Sequence, residues 1–189
     1  MSTHLSPASL RPRSATLDDL PALKECERGI IAAERPYDHT LKPDPISYYD
    51  LGERVRSEDA EVAVIELDGA IIATGYAEKR ASKPYIASDN HAFLGFMFVH
   101  PDHRGKGLNR ILTDYLLDWA RMRDLTEIRL TVYSGNDPYI TEMRPNLDEC
   151  LYSGGVVRAK LSRADISSNQ ASRFGCGPRQ SRSGKRKSR

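Results

Sequence analysis

Across 189 residues no run of about 18 apolar side chains occurs, so no segment is built to cross a membrane as a helix. The opening stretch, MSTHLSPASLRPR, lacks the apolar segment of a secretory signal. The three cysteines, Cys26, Cys150 and Cys176, are odd in number, far apart and without a C-x-x-C pair. That argues against a disulfide framework and against a zinc site, so no metal is expected. A reducing, cytoplasmic setting fits this usage. Internal repeats are lacking, and so is the G-x-x-x-x-G-K-[ST] of a phosphate-binding P-loop.

What is present suffices for one domain with a core: 39% of the residues are apolar. The net charge of +2 hides an asymmetry, because residues 163–189 carry eight Lys/Arg against one Asp. The preceding 162 residues carry a net −5. This divides the chain into a domain over 9–162 and a basic tail over 163–189. The tail is rich in Ser, Gly and Arg, holds too few apolar residues to offset its ordering entropy, and is expected to be disordered. Weak polyanion binding by the tail is a partner expectation.

The body alternates strand and helix patterns. LRPRSA reads as a short first strand. Leu20, Leu23, Cys26, Ile30 and Ala33 share one side of a helix that tolerates Pro21 in its first turn, with Asp18 as the expected cap. A proline-punctuated loop leads to a weaker helix in SYYDLGERVRS, with Ser47 as its expected cap. EVAVIELDGAIIATGYAEKR is a hairpin, because Asp68-Gly69 is a type I′ turn signal between apolar runs. HAFLGFMFV shows little alternation, as expected of a strand covered on both faces. Leu108, Ile111, Leu112, Tyr115, Leu116, Trp119 and Ala120 mark the clearest helix, with Asn109, Thr113, Asp114, Asp118 and Arg121 mostly on its far side. EIRLTVY then supplies a strand, which makes the unit a parallel βαβ.

Between that apolar strand and that helix lies HPDHRGKGLNR, residues 100–110. The first turn of a helix has backbone N–H groups without partners and sits at the positive end of the helix dipole, so it favours an anion. Gly105 and Gly107 let the backbone take positive φ and approach that anion closely. Arg104, Lys106 and Arg110 add long-range attraction. A dinucleotide fingerprint is excluded, because Arg110 stands where its third glycine is needed.

The full run FMFVHPDHRGKGLNRILTDYLLDWA resembles the core motif of the GCN5-related N-acetyltransferases, the GNAT family. That motif is an apolar strand ending Val-x-Pro, then Arg/Gln-x-x-Gly-x-Gly/Ala, then an amphipathic helix. Val99, Pro101, Arg104, Gly105 and Gly107 match it, whereas Asn109 stands where the pattern ends in Gly/Ala. Asn tolerates positive φ and capping, so the exchange is expected to be accommodated. The resemblance covers about residues 9 to 137. It implies an α/β GNAT-like fold: a mixed, mostly antiparallel sheet, helices on both faces, and a central parallel βαβ unit with a V-shaped cleft. It also implies acetyl-coenzyme A (acetyl-CoA) as co-substrate, held by Met97, Phe98, Val99, Arg104, Gly105, Lys106, Gly107, Leu108, Asn109, Arg110 and Asn136. The expected reaction is direct acetyl transfer to a primary amine, small-molecule or protein-borne. An N–H of the strand would stabilise the oxyanion. A homodimer is a further expectation.

Two departures touch catalysis. The Glu that many relatives carry on a central strand is replaced at its matching positions by Gly95 and Thr131. His91 is the nearest titratable group by sequence, although a surface histidine is the plainer expectation. The segment that opens with Asn-x-x-Ala and carries the family's acidic Tyr is lacking after 138, as if about three helical turns were gone. YITEM reads as a possible strand there, and Tyr133 or Tyr139 as a substitute acid. No residue is therefore assigned a catalytic role. On the acceptor side, Tyr37, Asp38, His39 and Tyr85 are the candidates. The alternatives carried forward are a catalytically impaired acyl-CoA-binding domain and a basic-tailed nucleic-acid-associated protein.

Overall fold

The computed structural model describes residues 10–133, 148–153 and 156–161. One seven-stranded sheet runs in the order β1-β2-β3-β4-β5-β7-β6. Its strands are β1 (Arg13–Ser14), β2 (Ala60–Leu67), β3 (Ala70–Ala81), β4 (Asn90–Val99), β5 (Glu127–Thr131), β6 (Asp148–Ser153) and β7 (Val156–Lys160). Every neighbouring pair is antiparallel except β4 and β5, the parallel pair expected of the βαβ unit. Among the described residues three α-helices complete it: α1 (Leu20–Glu34), α2 (Leu51–Arg56) and α3 (Leu108–Arg121).

The two sheet faces carry separate cores, as a sheet buried on both sides requires. On one face α3 lays Leu108, Leu112, Leu116, Leu117 and Trp119 against Ala63, Ile65, Leu94, Ile128 and Leu130. On the other, Leu23, Cys26 and Ile30 of α1 and Leu51 of α2 cover Val62, Val64, Tyr76 and Phe96. β4 feeds both: Leu94 belongs to the α3 side and Phe96 to the α1 side. Its near-continuous apolar run follows from that double burial.

Local chemistry explains most boundaries. Asp68 (φ 50) and Gly69 (φ 79) both take positive φ, as a type I′ turn needs, and join β2 to β3. Pro21 falls in the first turn of α1. Thr16 and Asp19 form a capping box on the preceding 3₁₀ turn, and Asp19 is the N-cap of α1, so the cap is not Asp18. Asp50 caps α2, accepting from the Glu53 amide at 2.9 Å. Ser47 instead donates to the Glu27 carboxylate at 3.0 Å.

Thr113 lies 1% exposed in α3, against the expectation of a solvent-side position. β6 and β7 were not expected. They extend the sheet beyond β5 through pairs such as Leu130↔Val157. The expected loss of a helix after 138, the YITEM strand, Asn136, Tyr139 and the basic tail all lie outside the described residues. Among the described residues no helix is long and apolar enough to cross a membrane.

Candidate functional site

β4 and β5 pair only from Ala92↔Ile128 to Leu94↔Leu130. Beyond Leu94 the two strands no longer pair, which is the cleft expected from the sequence. A bulge in β4 accompanies the parting: its register with β3 shifts between Thr74 and Tyr76, where Thr74 faces Phe98 and Tyr76 faces Gly95. Phe96 sits in the bulge at φ 57, a left-handed conformation that is strained for a residue with a Cβ. Packing holds it there: Phe96 is 1% exposed and lies edge-on to Tyr49 at 5.4 Å. Past the bulge, Met97 and Val99 pack toward the α3 side and Phe98 toward the α1 side. On the β5 side this edge of β4 has no strand partner among the described residues, a place where an extended amide chain can add.

The turn that follows has the geometry of an anion nest. Gly105 (φ 72) and Gly107 (φ 73) both take positive φ, and Gly107 is the N-cap of α3. The helical ladder opens with Ile111 donating to the Gly107 carbonyl at 3.2 Å, so the amides of Leu108, Asn109 and Arg110 precede it. The amides of Gly105, Lys106 and Gly107 have no acceptor among the described residues. A Cβ on either glycine would meet nothing within 4 Å. Backbone dihedral, not crowding from the protein, is therefore what calls for glycine at both positions.

The three cations are loosely tethered. Arg104 Nε donates to the Val99 carbonyl at 3.2 Å, Lys106 Nζ to the Asp102 carbonyl at 2.9 Å, and Arg110 Nε lies 4.0 Å from Asp114. All three side chains are exposed, and contacts of this kind hold them weakly. Leu108 contributes only its amide, since its side chain is in the core. Asn109 corrects the sequence reading: it is the second residue of α3, and the positive φ falls on the glycines instead. A cavity of about 890 Å³ borders the turn from the α1 side, floored by Ala22, Cys26, Gly29 and Phe98 and rimmed by His100 and Arg104.

At the other lip of the cleft, residues distant in sequence meet. Val132 is buried on the α3 side, so Tyr133 turns to the opposite face, as alternation demands. There its hydroxyl donates to Asp38 Oδ2 at 3.4 Å, and its ring stacks on Tyr37 at 6.2 Å. Asp38 is placed by the end of α1, where the Tyr37 and Asp38 amides both donate to the Glu34 carbonyl. Thr40, through amide and hydroxyl, holds the Asp38 carboxyl below its ordinary range. Glu34 is half-buried beside Tyr48, and burial pushes its carboxyl above the ordinary value. The Tyr48 hydroxyl is shut off from solvent and faces the Glu34 carboxyl, on which it acts. Burial next to Glu34 pushes it up to about 12.

Glu27 fixes this loop. It is 4% exposed and its carboxylate accepts from the amides of Tyr48 at 2.6 Å and Tyr49 at 2.9 Å, and from the Ser47 hydroxyl.

Of the acceptor-side candidates, Tyr37 and Asp38 come together, joined by Tyr133, the candidate substitute acid, while His39 is exposed. Tyr85 does not join them, being 75% exposed on the β3–β4 loop with Lys83 as its ring neighbour. Gly95 is filled from the next strand: a Cβ there would meet Tyr76 Oη at 2.6 Å. His91 is not a surface histidine but 5% exposed, with Nδ1 3.1 Å from Ser82 Oγ. It lies at the start of β4, away from the bulge, and burial together with Arg129 lowers its pKa.

Comparison with known proteins agrees with this geometry. The chain is similar in fold to a predicted acetyltransferase with acetyl-CoA from Clostridium acetobutylicum (TM-score 0.58, 18% identity, 77% of this chain and 96% of that one). It is similar to the GNAT domain of S. lividans PAT (TM-score 0.63, 21% identity, 80% and 89%). It is also similar to a mutant BH1408 protein from Bacillus halodurans (TM-score 0.65, 16% identity, 76% and 95%). At these identities the likeness shows the fold. None of the curated proteins matches. Residues 27–140 match the model of the Acetyltransferase (GNAT) family, and the chain belongs to that family.

Proposed function

We propose that this protein transfers an acetyl group from acetyl-CoA to a primary amine. The observation that carries the reading is the opened β4 edge followed by the Gly105, Lys106 and Gly107 amides, which have no acceptor among the described residues, just before α3. The residues present fit acetyl-CoA. Its pyrophosphate requires amides that point outward at a helix N-terminus, and residues 105–110 offer them with two glycines at positive φ. Its pantetheine carries two amides, and Met97, Phe98 and Val99 offer a strand edge beyond the last β4–β5 pair. When bound, acetyl-CoA supplies an acetyl group activated as a thioester.

The chain's own residues do the rest. Arg104, Lys106 and Arg110 draw the phosphates in and exchange their weak tethers for them. The bulge at Phe96 breaks the β4 register and frees the edge beyond it, and an amide of that freed edge is the donor that would stabilise negative charge on the carbonyl oxygen. Asn136 would reach the ligand from the β5 side. Attack by the amine is direct, and holding the two reactants in line supplies much of the acceleration.

Isothermal titration with acetyl-CoA, beside a thiol-release assay with a set of amines, tests the reading. Binding and amine-dependent thiol release are expected. A folded protein that leaves acetyl-CoA unbound overturns it, and binding without release with any amine removes the catalytic half.

A further inference from the structure

The cleft has a second, acidic lip that the family motif does not describe. It is built from the C-terminus of α1, the loop after it, the segment before α2 and the residue pair following β5. Glu34 and Asp38 supply two carboxylates, and Tyr37, Tyr48 and Tyr133 supply three rings. Three features place this lip at the reacting end of the cleft. Parallel pairing stops at Leu94↔Leu130, so Tyr133 lies three residues beyond the last rung of β5. Val132 goes to the α3-side core, which sends Tyr133 to the face that Phe96 also occupies. The Asp38–Tyr133 hydrogen bond and the Tyr37–Tyr133 stack then tie the α1 loop across the opening.

We propose that the acceptor is an amine bearing a second cationic group, that Glu34 takes the proton from its reacting nitrogen, and that Asp38 holds the distal cation among the Tyr37 and Tyr133 rings. This rests on the acetyl-transfer reading above. The two carboxyls differ in the way such a division needs. Asp38 is kept ionised by Thr40, which suits a permanent clamp for a cation. Glu34 is desolvated, and its charge is further disfavoured by Asp38, which makes it the better proton acceptor of the two. Tyr48 and Asp38 are the charged or titratable neighbours that act on the Glu34 carboxyl; Tyr49 and Tyr133 also feel its charge. Stacked ring faces beside a carboxylate favour a cation by cation–π attraction as well as by charge.

The step balances. Glu34 removes one proton from the ammonium. The freed nitrogen pair forms the N–C bond to the acetyl carbon as the C–S bond breaks, its electron pair staying on sulfur. The nitrogen's second proton ends on that sulfur. Glu34 passes its proton to water, so one proton is released per turnover. Tyr48 touches neither reactant in this scheme. It is a positioning residue, and its interaction lowers the Glu34 pKa against the effect of burial.

The test compares 1,4-diaminobutane with butylamine as acceptors, in the full chain, with acetyl-CoA binding followed by titration calorimetry. The expected preference for the diamine in kcat/KM is about 10-fold or more, and D38N should erase it by raising the KM of the diamine far more than that of butylamine. Asp38 borders solvent, so this variant tests the clamp without endangering the core. E34Q should lower kcat/KM about 100- to 1,000-fold at pH 7, with acetyl-CoA affinity unchanged, and should abolish the acidic limb of the pH profile. That limb should lie above the ordinary glutamate value of 4.5, and Y48F should move it higher still.

Equal use of the two amines, or an E34Q enzyme with full activity and an intact acidic limb, overturns the inference while acetyl transfer itself stands. A wild-type protein without acetyl-CoA binding or without turnover overturns both, and the calorimetry separates that failure from the first.

Discussion

Replacing Gly105 and Gly107 together with valine isolates the backbone contribution of the nest. A Cβ at either position meets no protein atom within 4 Å, so sterics with the rest of the protein contribute nothing. The whole effect comes from φ values of 72 and 73, which cost an L-residue about 1–2 kcal/mol each and a β-branched one the upper part of that range. Two sites give about 2–4 kcal/mol. This strain must appear in one of two places. If the turn keeps its shape, the folded state carries the cost, and the melting temperature falls by about 4–16 °C for a chain of this size. If the turn relaxes to negative φ, stability is spared and the amide nest is lost. Acetyl-CoA affinity then falls by the same free energy, about 30- to 700-fold at 1.4 kcal/mol per decade.

Relaxation is the expected outcome, because the turn is exposed and side-chain contacts such as the Arg104–Val99 and Lys106–Asp102 hydrogen bonds hold it weakly. Calorimetry for affinity and thermal melts for stability, on the same samples, give both parts of the sum. Asparagine at the same two positions is the control, since it enters the left-handed region readily, and should cost less than about 5-fold. A double valine variant with wild-type affinity and wild-type melting would refute the account of the turn.

Other perturbations read other links. E27A removes a carboxylate that serves two amides and a hydroxyl, so urea unfolding should show a loss of about 1–3 kcal/mol, and the amine KM should rise while acetyl-CoA affinity holds. Restoring the family's Glu through G95E should destabilise the fold without raising activity. The new Cβ meets Tyr76 Oη at 2.6 Å, and that ring is pinned between Arg54 and Tyr49. Asp19 is held at about 2, first by its hydrogen bond to Arg13, so its contribution is present above pH 3.8 and disappears as pH falls through about 2. Because Arg13 is well exposed, D19N should cost only about 1 kcal/mol at pH 7, and its urea curve should merge with wild type near pH 2. His91 has a lowered pKa through burial, so its contribution is present above 6.5 and fades as pH falls below it; H91N should flatten that part of the stability profile.

Elements whose signals are local were legible in the sequence. The β2–β3 hairpin follows from two adjacent residues that accept positive φ, and α3 from a 3.6-residue apolar period. The nest was legible for the same reason, since two glycines before an amphipathic helix specify both dihedral and dipole. Caps were misassigned where two candidates competed. Ser47 lost to Asp50 because its hydroxyl had a buried carboxylate to serve. For β6 and β7 the only local signal is the Gly-Gly pair at positions 154 and 155 between two short segments, too brief a pattern to outweigh the helix that the family resemblance implies. The bulge had no signal at all, because Phe is an improbable residue at positive φ and only its packing partners hold it there. The acidic lip was half legible. Asp38 and Tyr37 drew attention as loop residues, but Tyr133 is 95 positions away from Asp38, and burial of Glu34 depends on a loop path that no local pattern encodes.

The two lips of the cleft differ in sign, and topology is the reason. β4 and β5 are the only parallel neighbours among the described strands, so only here do two adjacent strands end on the same side of the sheet. The end of β4 must turn into α3, which places unpartnered amides and three cations at that lip. The end of β5 faces the C-terminus of α1, where carbonyls rather than amides are left over and Glu34 and Asp38 add negative charge. On the proposed reading, a polyanionic acyl carrier and a cationic amine would be drawn to opposite lips and repelled from the wrong ones, so the field would orient both reactants before contact. The residue types at the two helix ends follow from this division: glycine and basic side chains where a helix begins, carboxylates and tyrosines where another stops.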